Sequence, residues 1–234
     1  MQETVNKPIN IFIIYAREDK EIKQQLLLHL NLLKSAYNLN IWHDDYIEPG
    51  EEWEPSIDSR LAKTDLFLLL VSVDFMNSEF IHQVEFKYAI DRHKAHNAIM
   101  IPIIIKFCQW DVDISFEDYT FSLSELQVLP DEALPINGWK TTDQAYNNIA
   151  GGIRKVLTSI KNKSAKDSQD QKETLFWENA VTQNTISAYQ EYLGVYDHGR
   201  FEREALKNID KLKNIETETI EAANIGAAKR EGEK

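Results

Sequence analysis

Apolar residues fall in short runs, separated by longer stretches in which they recur at helical spacing. Ile9–Tyr15 (INIFIIY) is a β-branched run bounded by Pro8 and the polar Arg17–Lys20, and it reads as a buried strand. From Asp19 to Lys34 the residues Ile22, Leu26, Leu30 and Leu33 mark one helix face. Leu39–His43 reads as a second strand. An acidic loop follows, then a helix with Trp53, Ile57 and Leu61 on one side and Pro55 in its first turn. Leu66–Ser72 (LFLLLVS) is a third strand, and Ser78 suits the N-cap of a helix striped by Ile81, Val84 and Tyr88. Ala98–Ile105 is a fourth strand, in which Pro102 predicts a bulge or an edge position.

Cys108 to Leu129 has no regular period, and Glu132–Ile136 reads as a short fifth strand. A helix from Asp143 to Ile160 carries Tyr146, Ile149, Ile153, Val156 and Ile160 in register. Gly151-Gly152 interrupts it at about 1 kcal/mol per glycine relative to alanine. Strands alternating with helices predict an α/β fold, a doubly wound parallel sheet of five strands. Such sheets bind ligands beyond the carboxyl ends of their strands. Tyr15–Asp19, Asp44–Glu52 and Ser72–Ser78 should converge there.

The rest of the chain changes character. The sheet domain spans residues 8–161, and residues 162–173 read as a polar linker with no apolar side chain larger than alanine. Thr174–Tyr196 and Phe201–Leu212 form a small helical hairpin, residues 174–213, resembling a single tetratricopeptide-type unit without a second copy. One such unit must bury its face against the main domain, a twin chain or another partner. Residues 214–234 read as a frayed helix or disordered tail.

Composition narrows the function. The chain has 234 residues, 43% hydrophobic, and its longest apolar runs fall well short of the roughly 20 residues that span a bilayer. The N-terminus has neither the basic nor the apolar region of a secretory signal. Cys108 is the only cysteine, which excludes an intrachain disulfide and a cysteine cluster and points to a reducing, cytoplasmic compartment. Net charge is −12, and residues 1–160 hold 14 Lys+Arg against 24 Asp+Glu. An acidic domain without a basic patch argues against nucleic-acid binding and against docking on an anionic membrane.

Five segments in order, IFIIYAREDK, IWHDDYIEPGEEWEPSIDSRLAKTDLFLLLVS, FMNSEFIHQVEFKYA, FSLSELQVLP and INGWKTTDQAYNNIAGGIRKVL, resemble the Toll/interleukin-1 receptor (TIR) domain family, particularly its bacterial members. The resemblance implies a flavodoxin-like fold. In many bacterial members it also implies cleavage of NAD+ at the nicotinamide–ribose bond, giving ADP-ribose or a cyclic isomer in antiphage signalling. NAD+ is then substrate rather than cofactor, no metal is expected, TIR–TIR self-association is implied, and a downstream effector would sense the product. The other reading is a non-catalytic TIR module that assembles through its BB loop.

In that family the reactive glutamate lies in a stretch S-x-F/W-C-x-x-E or one residue longer. Ser78 to Glu85 matches the longer form, with Ile81 at the cysteine position and Phe80 as the aromatic. The residues themselves allow two readings of Glu85. It shares the face of Ile81 and Tyr88, where a carboxylate needs a reason, and it also suits a surface ion pair with Lys87 or Arg92. One carboxylate suffices for this chemistry, because nicotinamide leaves a cationic pyridinium as a neutral molecule and needs no general acid. Tyr15, Ala16, Arg17 and Ser72 are assigned to the substrate pocket, with Arg17 or Lys20 meeting the diphosphate or standing as first-turn surface charges. Asp44–Glu54, six acids without a base, matches the BB loop, and Asp45 and Trp53 flank it as site-shaping residues.

Other motifs fail. Gly194–Gly199 has P-loop spacing but lacks the Lys-Ser/Thr and a preceding strand, and no GxGxxG is present. His93/His96 and His82/Glu85 lack complementary metal ligands. Glu18, Asp19 and Asp74 loosely imitate a phosphoreceiver pocket, without a lysine that evidently closes it.

Overall fold

The structure, a computed structural model, describes residues 7–43, 59–78 and 81–231. Its first unit runs from residue 1 to 161 and is built on four parallel strands: β1 (Ile9–Tyr15), β2 (Leu39–Trp42), β3 (Leu66–Val71) and β4 (Ile99–Ile104), in the order β2-β1-β3-β4. The order reverses at β1, so the C-terminal ends of β1 and β3 border the crevice where such sheets take ligands.

Side chains alternate across the sheet with period two. Ile11, Ile13 and Tyr15 pack with Leu68 and Leu70 against Leu26 and Leu30 of α1 (Lys20–Tyr37) and Tyr146, Ile149, Ile153 and Leu157 of α4 (Thr142–Gln183). Phe12, Ile14 and Ala16 face the other layer, with Leu61 and with Phe86, Ala89 and Ile90. Asn38 ends α1 in the left-handed region (φ 53°), its N–H on the Lys34 carbonyl, and turns the chain into β2. After β3 come α2 (Val73–Asn77), a π-helical turn (His82–Phe86) and α3 (Lys87–Lys94), which returns the chain to β4.

Several expectations are corrected. Glu132–Ile136 is not a strand: residues 131–133 and 136–138 form 3-10 turns. Two prolines, Pro130 and Pro135, precede these turns and cannot donate to a ladder. Among the described residues the outer edge of β4 is bridged by Leu129, whose carbonyl accepts from Ile104 N–H and whose N–H donates to the Pro102 carbonyl. Pro102 thus sits at an edge, in unbroken register with Leu69 of β3. The region without a period holds an antiparallel hairpin of β5 (Asp113–Ser115) and β6 (Thr120–Ser122), too short for its alternation to register. The stripe Ile81/Val84/Tyr88 is also replaced: Ile81, Phe86, Ala89 and Ile90 are buried while Val84 is exposed, because the π-turn shifts the register by one residue.

The second unit, residues 162–234, comprises the end of α4, α5 (Ile186–Val195) and α6 (Glu202–Glu231). Residues 162–173, read as a linker, are helical, as their Lys, Gln and Ala content allows. The predicted helix Thr174–Tyr196 is broken at Asn184 (φ 46°), and Thr185 caps α5 by accepting from Ala188 N–H. The tail is helical through Glu231. Ala180, Ala188, Tyr189, Tyr192, Ala205 and Ile209 form its core, with Phe176, Trp177 and Phe201 around them. Glu173 is buried here and accepts from the Tyr192 hydroxyl (2.7 Å), the Arg200 N–H (2.5 Å) and Arg200 Nε (3.3 Å). Burial pushes its carboxyl up, but these donors outweigh that and hold it below the usual carboxylate value. A Cβ at Gly199 would lie 2.5 Å from Tyr192 Oη and 2.6 Å from Glu173 Oε1, so this close approach requires glycine.

Candidate functional site

Three strand ends meet at the C-terminal side of the sheet. β1 closes with Tyr15 and Ala16, both buried, and the Ala16 carbonyl accepts from Asp19 N–H to form the 3-10 turn Arg17–Asp19. That turn drives Asp19 inward until its side chain has no exposed surface. β3 closes with Ser72, fully buried, whose hydroxyl accepts from Phe75 N–H (3.1 Å) as the cap of α2. The same hydroxyl donates to Asp19 Oδ2 at 2.5 Å, tying the β1 and β3 ends together. β4 closes shortly before Lys106, whose Nζ lies 2.6 Å from Asp19 Oδ1 and 3.0 Å from Asp74 Oδ2.

Lys106 was not singled out in the sequence, and it is the lysine that closes the acidic group. Its only signal is its place immediately after the apolar run of β4. The ion pair with Asp19, partly offset by burial, raises its pKa, so it stays cationic across the neutral range. Asp74 lies in the first turn of α2 rather than on β3, so the phosphoreceiver arrangement is still incomplete.

A second buried group was also missed. Lys23 of α1 is fully buried, donates to the Tyr15 hydroxyl (3.0 Å), lies 3.4 Å from His43 Nδ1, and sits 4.4 Å from the centroid of the Tyr15 ring. His43 packs edge-on to Tyr15. Lysine on a helix otherwise striped by leucine gives no warning of this. Its stem runs along the apolar face while its head reaches the polar end of the sheet.

Of the expected site residues, Tyr15, Ala16 and Ser72 are buried at the mouth, whereas Arg17 is exposed. Glu85 is 5% exposed, within the π-turn that follows β3 and α2. Asp45, Trp53 and Phe80 lie outside the described residues, as does the acidic loop. Arg92, one candidate partner for Glu85, instead directs its guanidinium to the carbonyls of Leu61, Ala62, Thr64 and Asn97, stapling α3 to the segment before β3.

An open cavity of about 610 Å³ lies beside the mouth, lined by Val73, Met76 and Asn77 of α2 and by Cys108 and Gln109 after β4. Burial, followed by the charges of Asp19 and Asp111, pushes the Cys108 thiol up, which makes it a poor nucleophile near neutral pH. Among the described residues, no group of three or more His, Cys, Asp or Glu is placed to hold a metal ion, and no helix is long and apolar enough to cross a membrane.

The family model described as the TIR domain matches residues 11–127, which include most of β1, all of β2, β3 and β4, and every described residue named at the mouth. The chain is also similar to y4lF, an uncharacterized protein of Sinorhizobium fredii (strain NBRC 101917 / NGR234), with 32% identity over 151 residues. That match covers 64% of this chain and 44% of the relative, so the chain spans less than half of that protein's length.

Proposed function

The chain belongs to the TIR domain family, and from that premise we propose that its sheet domain cleaves NAD+ between nicotinamide and ribose. The observation that carries this reading is the burial of Glu85, 5% exposed, on the segment that leaves the C-terminal end of β3. A carboxylate held near the C-terminal side of such a sheet is placed to face a cation bound in the crevice there. The nicotinamide riboside supplies one, first as pyridinium and then as the oxocarbenium-like transition state.

The bond between ribose C1′ and the pyridinium nitrogen breaks, and its electron pair leaves with neutral nicotinamide. Water adds to C1′ and gives up a proton to form ADP-ribose, or a nucleophilic group of the same molecule adds there, likewise losing a proton, and closes a cyclic isomer. Glu85 stabilises the developing positive charge, so no second carboxylate is needed as acid. Tyr15, Ala16 and Ser72 form the floor of the pocket in this reading, and Arg17 meets the diphosphate from the exposed rim. Asp45, Trp53 and Phe80 keep the substrate-binding roles that the family resemblance implies. Self-association through the acidic loop would complete the site, and the nucleotide product would signal to an effector in antiphage defence.

The test is incubation of the full chain with NAD+ and chromatography for nicotinamide, across a range of protein concentrations. Nicotinamide release, with specific activity rising with concentration, supports the reading. Absence of release at every concentration favours a non-catalytic TIR interaction module.

A further inference from the structure

In an α-helix successive side chains lie about 100° apart. Counted from Ile81, an unbroken α-helix would put Val84, Glu85 and Tyr88 on one side. It would put Phe86 and Ile90 about 140° and 180° away from Ile81. The structure instead buries Ile81, Glu85, Phe86, Ala89 and Ile90 together and leaves Val84 exposed. The five residues His82–Phe86 are wound as a π-turn, in which residue i+5 rather than i+4 follows beneath residue i. Phe86 therefore sits under Ile81. From there ordinary α-winding carries Phe86 to Ile90 and Glu85 to Ala89.

Both ends of this turn are pinned. On the upstream side Ser78 Oγ accepts from Ile81 N–H, and Ile81 is in the core. On the downstream side the Phe86 ring packs edge-on to Phe75 and Phe121, at centroid distances of 5.7 and 6.3 Å. Between two fixed ends the chain carries one residue more than an α-helix needs. A π-turn is rare, occurs mostly as a single turn inside an α-helix, and is frequent at functional sites.

We propose that this π-turn is a positioning device that absorbs one surplus residue. Glu85 thereby keeps the place, beside Phe86 and one turn above Ala89, that it would hold in an α-helix one residue shorter. The same count accounts for the Ser78–Glu85 stretch being one residue longer than the shorter form of the pattern it resembles. The proposal rests on Glu85 being the carboxylate that faces the reacting ribose.

Single-residue deletions in the full chain test it. Deleting Val84, or separately Gln83, should turn the segment into a continuous α-helix without rotating Ile81 away from Phe86. Both variants should keep a cooperative melting transition within about 4 °C of the parent. In both, kcat for NAD+ cleavage should fall by less than the ~10²-fold that misplacement by 1 Å costs, with KM little changed. Deleting Lys87, within ordinary α-winding, should instead turn Glu85 and Phe86 away from Ala89 and Ile90 and abolish the cooperative transition.

If both π-turn deletions melt as poorly as the Lys87 deletion, the turn is not a surplus residue and the proposal is overturned. It is equally overturned if they fold but lose kcat by 10²-fold or more. A parent inert toward NAD+ would sink the functional reading alone, and the melting comparison would still decide whether the turn is surplus.

Discussion

The Lys106 ammonium lies 2.6 Å from Oδ1 of Asp19, a carboxylate with no exposed surface that also accepts from the Ser72 hydroxyl. Lys106 is the cation that offsets the burial of that charge. Lys106→Met should therefore destabilise the sheet domain by about 3 kcal/mol. That is the low end for breaking a buried pair, because over a third of the lysine side chain is exposed. Asp19→Asn in the Lys106→Met background should recover most of the loss. Urea unfolding of the four members of this double-mutant cycle measures the coupling, and additive losses would mean that the pair contributes nothing.

Glu85→Gln keeps size and helix propensity but removes the charge opposite the proposed oxocarbenium ion. NAD+ turnover should drop by about 10²–10³, the range for one preorganised electrostatic partner, with the melting temperature little changed. Glu117→Gln, on the exposed β5–β6 hairpin, is the control and should retain parental turnover. Equal losses in the two variants would remove Glu85 from its assigned role.

The adjacent glycines of α4 should respond with opposite signs. A Cβ at Gly151 meets nothing within 4 Å, so Gly151→Ala gains helix propensity and should stabilise by about 0.5–1 kcal/mol. At Gly152 the Cβ would lie 2.5 and 2.8 Å from the two methyl carbons of buried Leu129. Displacing them should cost about 1–3 kcal/mol and outweigh the propensity gain. Differential melting of the two variants checks this.

In the second unit, Tyr192→Phe removes one of the donors to buried Glu173 and should destabilise the unit by about 1.5–3 kcal/mol, as for a hydrogen bond to a charged group. Because the folded-state pKa of Glu173 is depressed, its stabilisation is fully present above the ordinary carboxylate value near ~4.3. It is lost as pH falls through the folded value. Protection of α5 amides in hydrogen exchange should therefore be flat between pH 7 and about 5 and weaken below about 4.3. Weakening that begins near neutral pH would implicate another group.

The four strands were legible because parallel strands covered on both faces are written as continuous apolar runs, as in LFLLLV of β3. Glu85 was legible as a residue on a buried side, but for an incomplete reason. Counting at 3.6 residues per turn aligned it with Ile81 and Tyr88, and a π-turn has no signature in such a count. Asp19 and Asp74 were legible as members of one acidic group, but Lys106 was not, since it is separated from them by tens of residues and meets them only where β1, β3 and β4 end side by side. The break at Asn184 did carry a local signal. Asparagine followed by threonine can end one helix in the left-handed region and cap the next, but the apolar period running through it concealed this.

The edge of β4 has a consequence for behaviour in a crowded solution. An open parallel sheet ends in a row of backbone donors and acceptors that can template a strand from a neighbouring molecule. Here Pro102 contributes no N–H, its carbonyl is taken by Leu129, and the Ile104 N–H is taken by the Leu129 carbonyl. An incoming strand would find the middle of that edge already occupied or chemically blank. The single bridge at Leu129 thus works as a stopper against sheet growth from the β4 side.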